Sequence, residues 1–303
     1  MKKWRIRCTV GVCVFNEEQN IARLLTSLAA QRLNHVAVGE IIVVASGSRD
    51  KTVDIVKQFM KRNKKIRLIT ESRRRGKASA VNIVLSQAQY DIIVLTGGDL
   101  ILSEYVLERL VSPMHDSETG MTGARPVPVN DASQGLAHFA AFFLWDLHHR
   151  LSLHRPKMGE VVAFRKIFRR IPAISSVDEA NIEPLIRGQG YRIKYVPRAL
   201  VYNKAPATIA EFIRQRRRIY SGHLAVKHEQ SYEVSTMNAF LVAQAITEFM
   251  RANRRTHAAY LLYIPLVMLL EAYSRLLGWY DYRILRKRHT VWDVAHTTKN
   301  LGR

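Results

Sequence analysis

Three places in the chain gather side chains that could do chemistry. The aliphatic run Ile92-Ile93-Val94-Leu95 ends in Thr96-Gly97-Gly98-Asp99, two residues without side chains and then one carboxylate. A hard divalent cation bridging phosphate oxygens takes oxygen ligands and keeps waters. Asp99 suits that role, although one acid is fewer than such a site usually has. Asp178 and Glu179 stand side by side where a helical stretch begins. Either could act as a general base toward a hydroxyl, but neighbours at a helix start do not share a face, so only one reaches a given substrate. Gln215, Arg218 and Gly222 recur at i, i+3 and i+7 on one helical face, where a guanidinium can fork onto phosphate oxygens. Each place also has a plainer reading: a strand-end polar residue, acids favoured at the positive end of a helix, and a basic helix lying on anionic lipid.

Weaker signals surround these. "SRRRGKASAVN" (72–82) sets four cations around Gly76. Arg75 and Lys77 are best placed to face a nucleotide or diphosphate, with a solvated basic face as the alternative. Ser46 can donate and accept, and the helix start that follows it attracts phosphate. Gly159 leaves room for a substrate to approach and Glu160 could touch it, although packing alone explains both equally well. Trp145, Asp146, His148 and His149 lie close in sequence, but adjacent rings on a helix diverge, so a wet or core position is the default.

What must position these residues is an alternation of strands and helices. Apolar, β-branched runs at 8–15, 40–46, 65–71 and 90–99 read as strands. Helical periodicity fills the gaps. Asn16, with Gln19 three residues on, is expected to cap the first helix, and Asp50 the second. Such alternation means βαβ units and a mostly parallel sheet, whose ligands bind at the carboxyl ends of strands. Those ends are 14–17, 45–50, 72–77 and 97–99. Val14, Asn16, Glu17, Ser46, Arg75, Lys77, Gly98 and Asp99 therefore share one edge. Further on come strand and loop (113–135), an aromatic-rich helix (136–150), a helix, glycine turn and one or two strands (176–203), and a basic amphipathic helix (208–227). The rest is expected to be mostly helical, giving an α/β domain over 1–228 and a basic helical extension over 229–303.

A net charge of +22 asks for a polyanionic neighbour: nucleic acid, anionic membrane or phosphorylated substrate. Zinc-finger spacing, basic-zipper heptads and RNA-binding aromatic signatures are missing, so nucleic acid is not expected. Cys8 and Cys13 point to opposite faces of one strand, which suits a reducing compartment. The basic N-terminal stretch lacks a long apolar core, so a signal peptide is not expected.

Seven segments in order resemble the family 2 glycosyltransferases of the GT-A fold: "VFNEEQNI", "VVASGSRDKT", "GKASAVN", "LTGGD", "GEVVAFR", "DEANIEPLIRGQGYRIKYVP" and "QRRRI". The resemblance runs from about residue 8 to about residue 224. It implies a Rossmann-like, mostly parallel mixed sheet flanked by helices. It also implies inverting transfer of a sugar from a nucleotide-sugar donor to an acceptor hydroxyl, with Mg²⁺ or Mn²⁺. The family's paired acids fall on Gly97 and Asp99, so only the second remains, as metal ligand. Its catalytic Asp aligns with Glu179 and the preceding Glu with Asp178, in swapped order. An acid often present at Ala45 or Ser46, which receives the base of the nucleotide, is absent. Gln215 and Arg218 match a Gln-x-x-Arg-Trp motif whose Trp is Ile219 here, which argues against long β-linked polysaccharide synthesis. The segment with Gly159 and Glu160 matches the acceptor side. The alternative is a non-catalytic nucleotide-sugar-binding relative, motivated by the absent acids and opposed by the retained Asp178-Glu179 and Gln215/Arg218.

The most apolar C-terminal run, 258–270, is 13 residues long, short of the roughly 20 that a membrane span needs. Arg251, Arg254 and Arg255 precede it, and Arg283, Arg286, Lys287 and Arg288 follow. With Tyr260, Tyr263, Trp279 and Tyr280 nearby, it reads first as an in-plane anchor on an anionic membrane surface, with a tilted or re-entrant insertion and an ordinary packing helix as the alternatives. That suits a lipid-linked or cell-envelope glycan acceptor and a peripheral place at the inner face of the cell membrane.

Overall fold

A computed structural model describes residues 5–253 and 259–302. Arg254, Arg255 and Ala258, part of the anchor reading, lie outside them. The chain opens with β1 (Ile6–Val14), α1 (Ile21–Ala29), β2 (Val36–Ser46), α2 (Thr52–Arg62), β3 (Ile66–Glu71), α3 (Lys77–Gln87) and β4 (Ile92–Gly97). The alternation read from the sequence is present. Its first helix, however, starts four residues later than Asn16 capping would require. Asn16 is left-handed (φ 50°) and its side chain accepts from the Arg49 N–H at 2.9 Å, which ties the first loop to the second. Asp50 accepts from the Thr52 N–H at 3.0 Å, just ahead of α2.

The chain continues through β5 (Leu100–Leu102), α4 (Val106–Val111), β6 (Thr119–Pro128), α5 (Leu136–His154), β7 (Val162–Arg165), α6 (Asp178–Arg187) and β8 (Arg192–Asn203). Then come α7 (Ile209–Glu229), α8 (Ala239–Ala252) and α9 (Ala259–Arg283). Among the described residues the eight strands form one sheet in the order β3-β2-β1-β4-β7-β6-β8-β5. The first four are parallel, so Cys13 lies beside Gly97, Val14 beside Ala45 and Ser46 beside Glu71. Their carboxyl ends form one edge. β7 runs antiparallel to β4, with Leu95 opposite Val162. That reversal carries Gly159 and Glu160, just before β7, to the carboxyl end of β4.

Apolar residues of β1, β2 and β4 alternate between two cores. Val10, Val12 and Val94 pack under α1 and α4, while Ile42, Val44 and Ile93 pack under α3 and α6. A third core joins α5, α7, α8 and α9 through Phe139, Phe143, Phe212 and Phe249.

α9 is amphipathic in the inverted sense. Its polar residues Glu271, Ser274 and Asp281 are buried. Glu271 binds the Arg216 guanidinium of α7 through two hydrogen bonds (2.6 and 2.8 Å) and also accepts from Arg275 at 2.8 Å. Asp281 pairs with Arg217 and with His289. From 284 to 302 the described chain has no α-helix, against the mostly helical expectation. No described helix is long and apolar enough to cross a membrane.

Burial opposes the Glu271 charge, but Arg216 and Arg275 outweigh it and bring its pKa down to about 2. A carboxyl depressed on folding contributes stability above its unfolded pKa, and that contribution is lost as pH falls through the folded value. For Glu271 the window runs from about 4.5 to about 2, with of order 3 kcal/mol at stake. Glu271→Gln should therefore lower the melting midpoint at pH 7 and lose less on acidification than the wild type; melts from pH 7 to 2.5 check it.

Candidate active site

The carboxyl edge of β1–β4 opens into a cavity of about 390 Å³, closed on the far side by α5, α6 and α7. At the end of the cavity formed by β4, Gly97 and Gly98 yield their space to other side chains. A Cβ on Gly97 would lie 2.7 Å from Asp99 Oδ1, so the Asp99 carboxylate folds back over the position of the missing acid. A Cβ on Gly98 would lie 2.6 Å from Val14 Cγ1 and 2.9 Å from Glu17 Cγ. The absent side chain is what lets Glu17 sit against the end of β4.

Glu17 is 5% exposed; its N–H donates to Thr52 Oγ1 at 2.7 Å and its carboxylate accepts from Asn20 Nδ2 at 3.0 Å. Burial, then the charge of Asp99, push its pKa up to about 7, against the pull of Lys299. Glu160 is also raised to about 7, by burial and then by Asp99, while Lys77 and a 3.2 Å hydrogen bond from Asn203 oppose the rise. Asp99 itself makes no hydrogen bond or ion pair among the described residues. Two buried acids thus face a third carboxylate with too little positive charge between them.

Asp178 and Glu179 open α6, where the helix dipole favours acids. Gly222 of α7 sets their position: a Cβ there would lie 2.5 Å from Ser176 Oγ and 2.8 Å from Val177 Cγ2, so only glycine lets α7 press on the residues before the acids. Lys77, the first residue of α3, reaches across the cavity with its ammonium 2.9 Å from Asp178 and 3.0 Å from Glu179. Burial, then Glu179, raise the Asp178 pKa to about 6, against Lys77. Burial also opposes ionisation of Glu179, but Lys77 and backbone N–H donation prevail and hold it below the usual range. The Glu179 side chain keeps 18% exposure, Asp178 only 2%.

Val14, Glu17, Ser46, Lys77, Gly98, Asp99, Gly159, Glu160, Asp178, Glu179, Gln215 and Arg218 all line this one cavity. Two expected residues do not. Asn16 is spent on the loop contact described above. The Arg75 side chain turns out to Glu71 at 4.0 Å and stays more than half exposed, and Arg74 lines the cavity in its stead, its guanidinium 3.9 Å from the Phe15 ring centre. Lys77 faces the candidate base rather than standing free. Arg218 donates to the Ser176 carbonyl at 3.0 Å, and burial lowers its pKa to about 10 against the nearby acids.

Residues 289–302, unmarked by any motif, cross the β4 end of the cavity. Trp292 stacks on Arg218, with the guanidinium 3.6 Å from the ring centre. The Lys299 ammonium donates to the Phe15 carbonyl at 2.9 Å and pairs with Glu17. Asn20 Nδ2 donates to the Lys299 carbonyl at 2.9 Å, and Leu301 is buried behind it. The one sequence signal was a tryptophan and a lysine isolated in a polar tail.

A half-parallel, half-mixed sheet with its site on one carboxyl edge defines the GT-A class of glycosyltransferase fold. The family model described as Glycosyl transferase family 2 matches residues 9–173, and the chain belongs to that family. It is 24% identical over 229 residues to poly-beta-1,6-N-acetyl-D-glucosamine synthase of Staphylococcus aureus (strain COL), covering 71% of this chain and 54% of that protein. It is also 24% identical over 226 residues to an N-acetylglucosaminyltransferase of Rhizobium meliloti (strain 1021), covering 67% and 52%. The chain thus spans about half the length of these curated relatives. Among solved structures, the mannosyltransferase PcManGT from Pyrobaculum calidifontis, in complex with GDP-Man and Mn²⁺, aligns with a TM-score of 0.61 and 20% identity, covering 91% of this chain and 85% of that one.

Proposed function

We propose that this chain is an inverting glycosyltransferase that moves a sugar from a nucleotide-sugar donor to an acceptor hydroxyl of a lipid-linked or cell-envelope glycan. The observation that carries the reading is the Lys77–Asp178–Glu179 cluster facing Asp99 within one cavity on the sheet's carboxyl edge. Glu179, ionised and the more accessible of the pair, takes the acceptor proton. Asp178, buried behind it, shares Lys77 and fixes its place. The ammonium keeps two adjacent carboxylates compatible, since each alone disfavours ionisation of the other. Arg218, with Gln215 one turn before it, faces the leaving diphosphate.

A divalent cation fits the donor end on charge: Asp99 has no partner among the described residues, and burial, then Asp99, raise Glu17 and Glu160. Among the described residues no three His, Cys, Asp or Glu side chains converge as a ligand set. Asp99 would hold Mg²⁺ or Mn²⁺, with diphosphate and water as the other ligands. Bound there, the cation would neutralise charge on the leaving diphosphate. Relatives named for N-acetylglucosamine transfer favour that sugar class, and the GDP-Man complex of the mannosyltransferase keeps a guanosine donor in view.

Membrane contact is supported by the inverted helix α9. Leu262, Leu266, Leu269, Tyr273, Leu276 and Tyr280 form an exposed stripe at 4,3,4,3,4 spacing, while its acids face inward. Arg283 ends the helix, and Arg286, Lys287 and Arg288 follow it. An apolar stripe beside a basic cluster suits an anionic lipid surface.

In a thermal-shift panel of UDP-, GDP- and dTDP-sugars with and without Mn²⁺, one nucleotide should raise the midpoint in a metal-dependent way, by mass action. Asp99→Ala should lose the metal-dependent part; no shift with any donor contradicts the reading. For the membrane contact, full-length protein should sediment with anionic vesicles and not with zwitterionic ones, and Leu269→Ser/Leu276→Ser should release it. A concentration-dependent dimer that ignores both vesicles would assign the stripe to a second copy instead.

A further inference from the structure

Beyond the candidate base the cavity continues away from the sheet edge, between α5, α7, α8 and α9. One wall is apolar and made of small residues: Ala137, Ala140, Ala141 and Leu144 on one face of α5, opposite Val242 of α8 and Met268 of α9. Its inner end is polar and cationic. His148 is 5% exposed, and neither ring nitrogen has a hydrogen-bond partner. Lys157 sits beside it on the loop after α5. The Ser152 hydroxyl fixes the Lys157 backbone by donating to its carbonyl at 3.2 Å, and Arg155 donates to the Glu233 carbonyl at 2.8 Å. The Lys157 ammonium has no carboxylate within 4.0 Å among the described residues; its one contact is the neighbouring Met158 carbonyl at 3.5 Å. His223 and Arg216 complete the end, and Arg216 is already neutralised by Glu271.

A half-buried ammonium with no ion pair, next to a buried imidazole whose nitrogens find no partner, is a place where a ligand's negative charge would be taken up. An apolar passage leading to it asks for a ligand with an apolar part. We infer that this inner end is an acceptor subsite for the anionic head, phosphate in kind, of an amphiphilic acceptor, with Lys157 and His148 holding the anion and the α5–α8–α9 passage taking the chain. The inference rests on the transferase reading above and narrows its acceptor to a phosphate-bearing lipid. It also gives the exposed stripe of α9 a purpose, because the same helix that would face the membrane lines the passage.

The test uses the full chain and farnesyl phosphate below its micelle concentration, read by tryptophan fluorescence, since Trp145 lies 5.3 Å from the His148 ring. Farnesol, inorganic phosphate and a tetraglucuronide are compared. Farnesyl phosphate should bind at least tenfold more tightly than any of them. Lys157→Met should cost tenfold or more, and Lys157→Arg should keep most of the affinity, with melting midpoints certifying that both variants fold. Equal binding of farnesol, tighter binding of the tetraglucuronide, or a folded Lys157→Met with wild-type affinity would each overturn the inference. Donor shifts with Mn²⁺ are measured on the same samples. A donor shift without farnesyl phosphate binding sinks the subsite alone, whereas loss of both sinks the transferase reading.

Discussion

The rest of the site depends on one ammonium. Lys77 begins α3, and Asp178 and Glu179 begin α6, which packs beside α3 over the same core. The two ion pairs between them, 2.9 and 3.0 Å, close the cavity at its waist. Without a cation there, two adjacent buried carboxylates could not both remain charged, and α6 would present one neutral acid. With it, one accessible carboxylate stays ionised next to a buried, raised partner.

The opposite imbalance holds at the β4 end. Burial, then Asp99, disfavour the charges of Glu17 and Glu160, and Lys299, arriving from the end of the chain, is the cation paired with Glu17. Glycine makes this arrangement possible. Gly97 and Gly98 leave room for Asp99 to fold back and for Glu17 to press in from the β1 loop. Acids gather near the β4 edge, while Lys157 at the other end of the cavity has no ion pair among the described residues.

Much of this was legible in the sequence. Periodicity marked the alternation from β1 to β4, because buried parallel strands are near-continuous aliphatic runs and amphipathic helices repeat every three to four residues. Strand ends then named Glu17, Ser46 and Asp99 without reference to any partner. Position within a loop was harder. Asn16 looked like a helix cap, but its side chain serves the neighbouring loop; Arg75 and Arg74 are one residue apart and point to opposite sides. Side-chain direction there follows from tertiary contacts such as Phe15, not from local propensity. The tail was hidden for the same reason. Trp292 and Lys299 acquire meaning only from Arg218 and Glu17, some 70 and 280 residues away, as an order of magnitude for contacts that no local pattern encodes. The sequence marks the α9 run as an in-plane anchor, but the inward turn of its charged face depends on Arg216 and Arg217 of α7, which no local pattern names.

The most direct test of the central claim compares Asp178→Asn with Glu179→Gln. Donor affinity and acceptor-dependent release of nucleoside diphosphate would be measured on both, with the donor found by the thermal panel. Glu179→Gln should lower turnover by about 10²–10⁴, the usual range for losing a general base, with donor affinity within a factor of a few. Asp178→Asn should reduce turnover less and shift its pH profile, because Lys77 then pairs with one charge only. Full turnover in Glu179→Gln, or a larger loss in Asp178→Asn, would contradict the assignment of Glu179 as base.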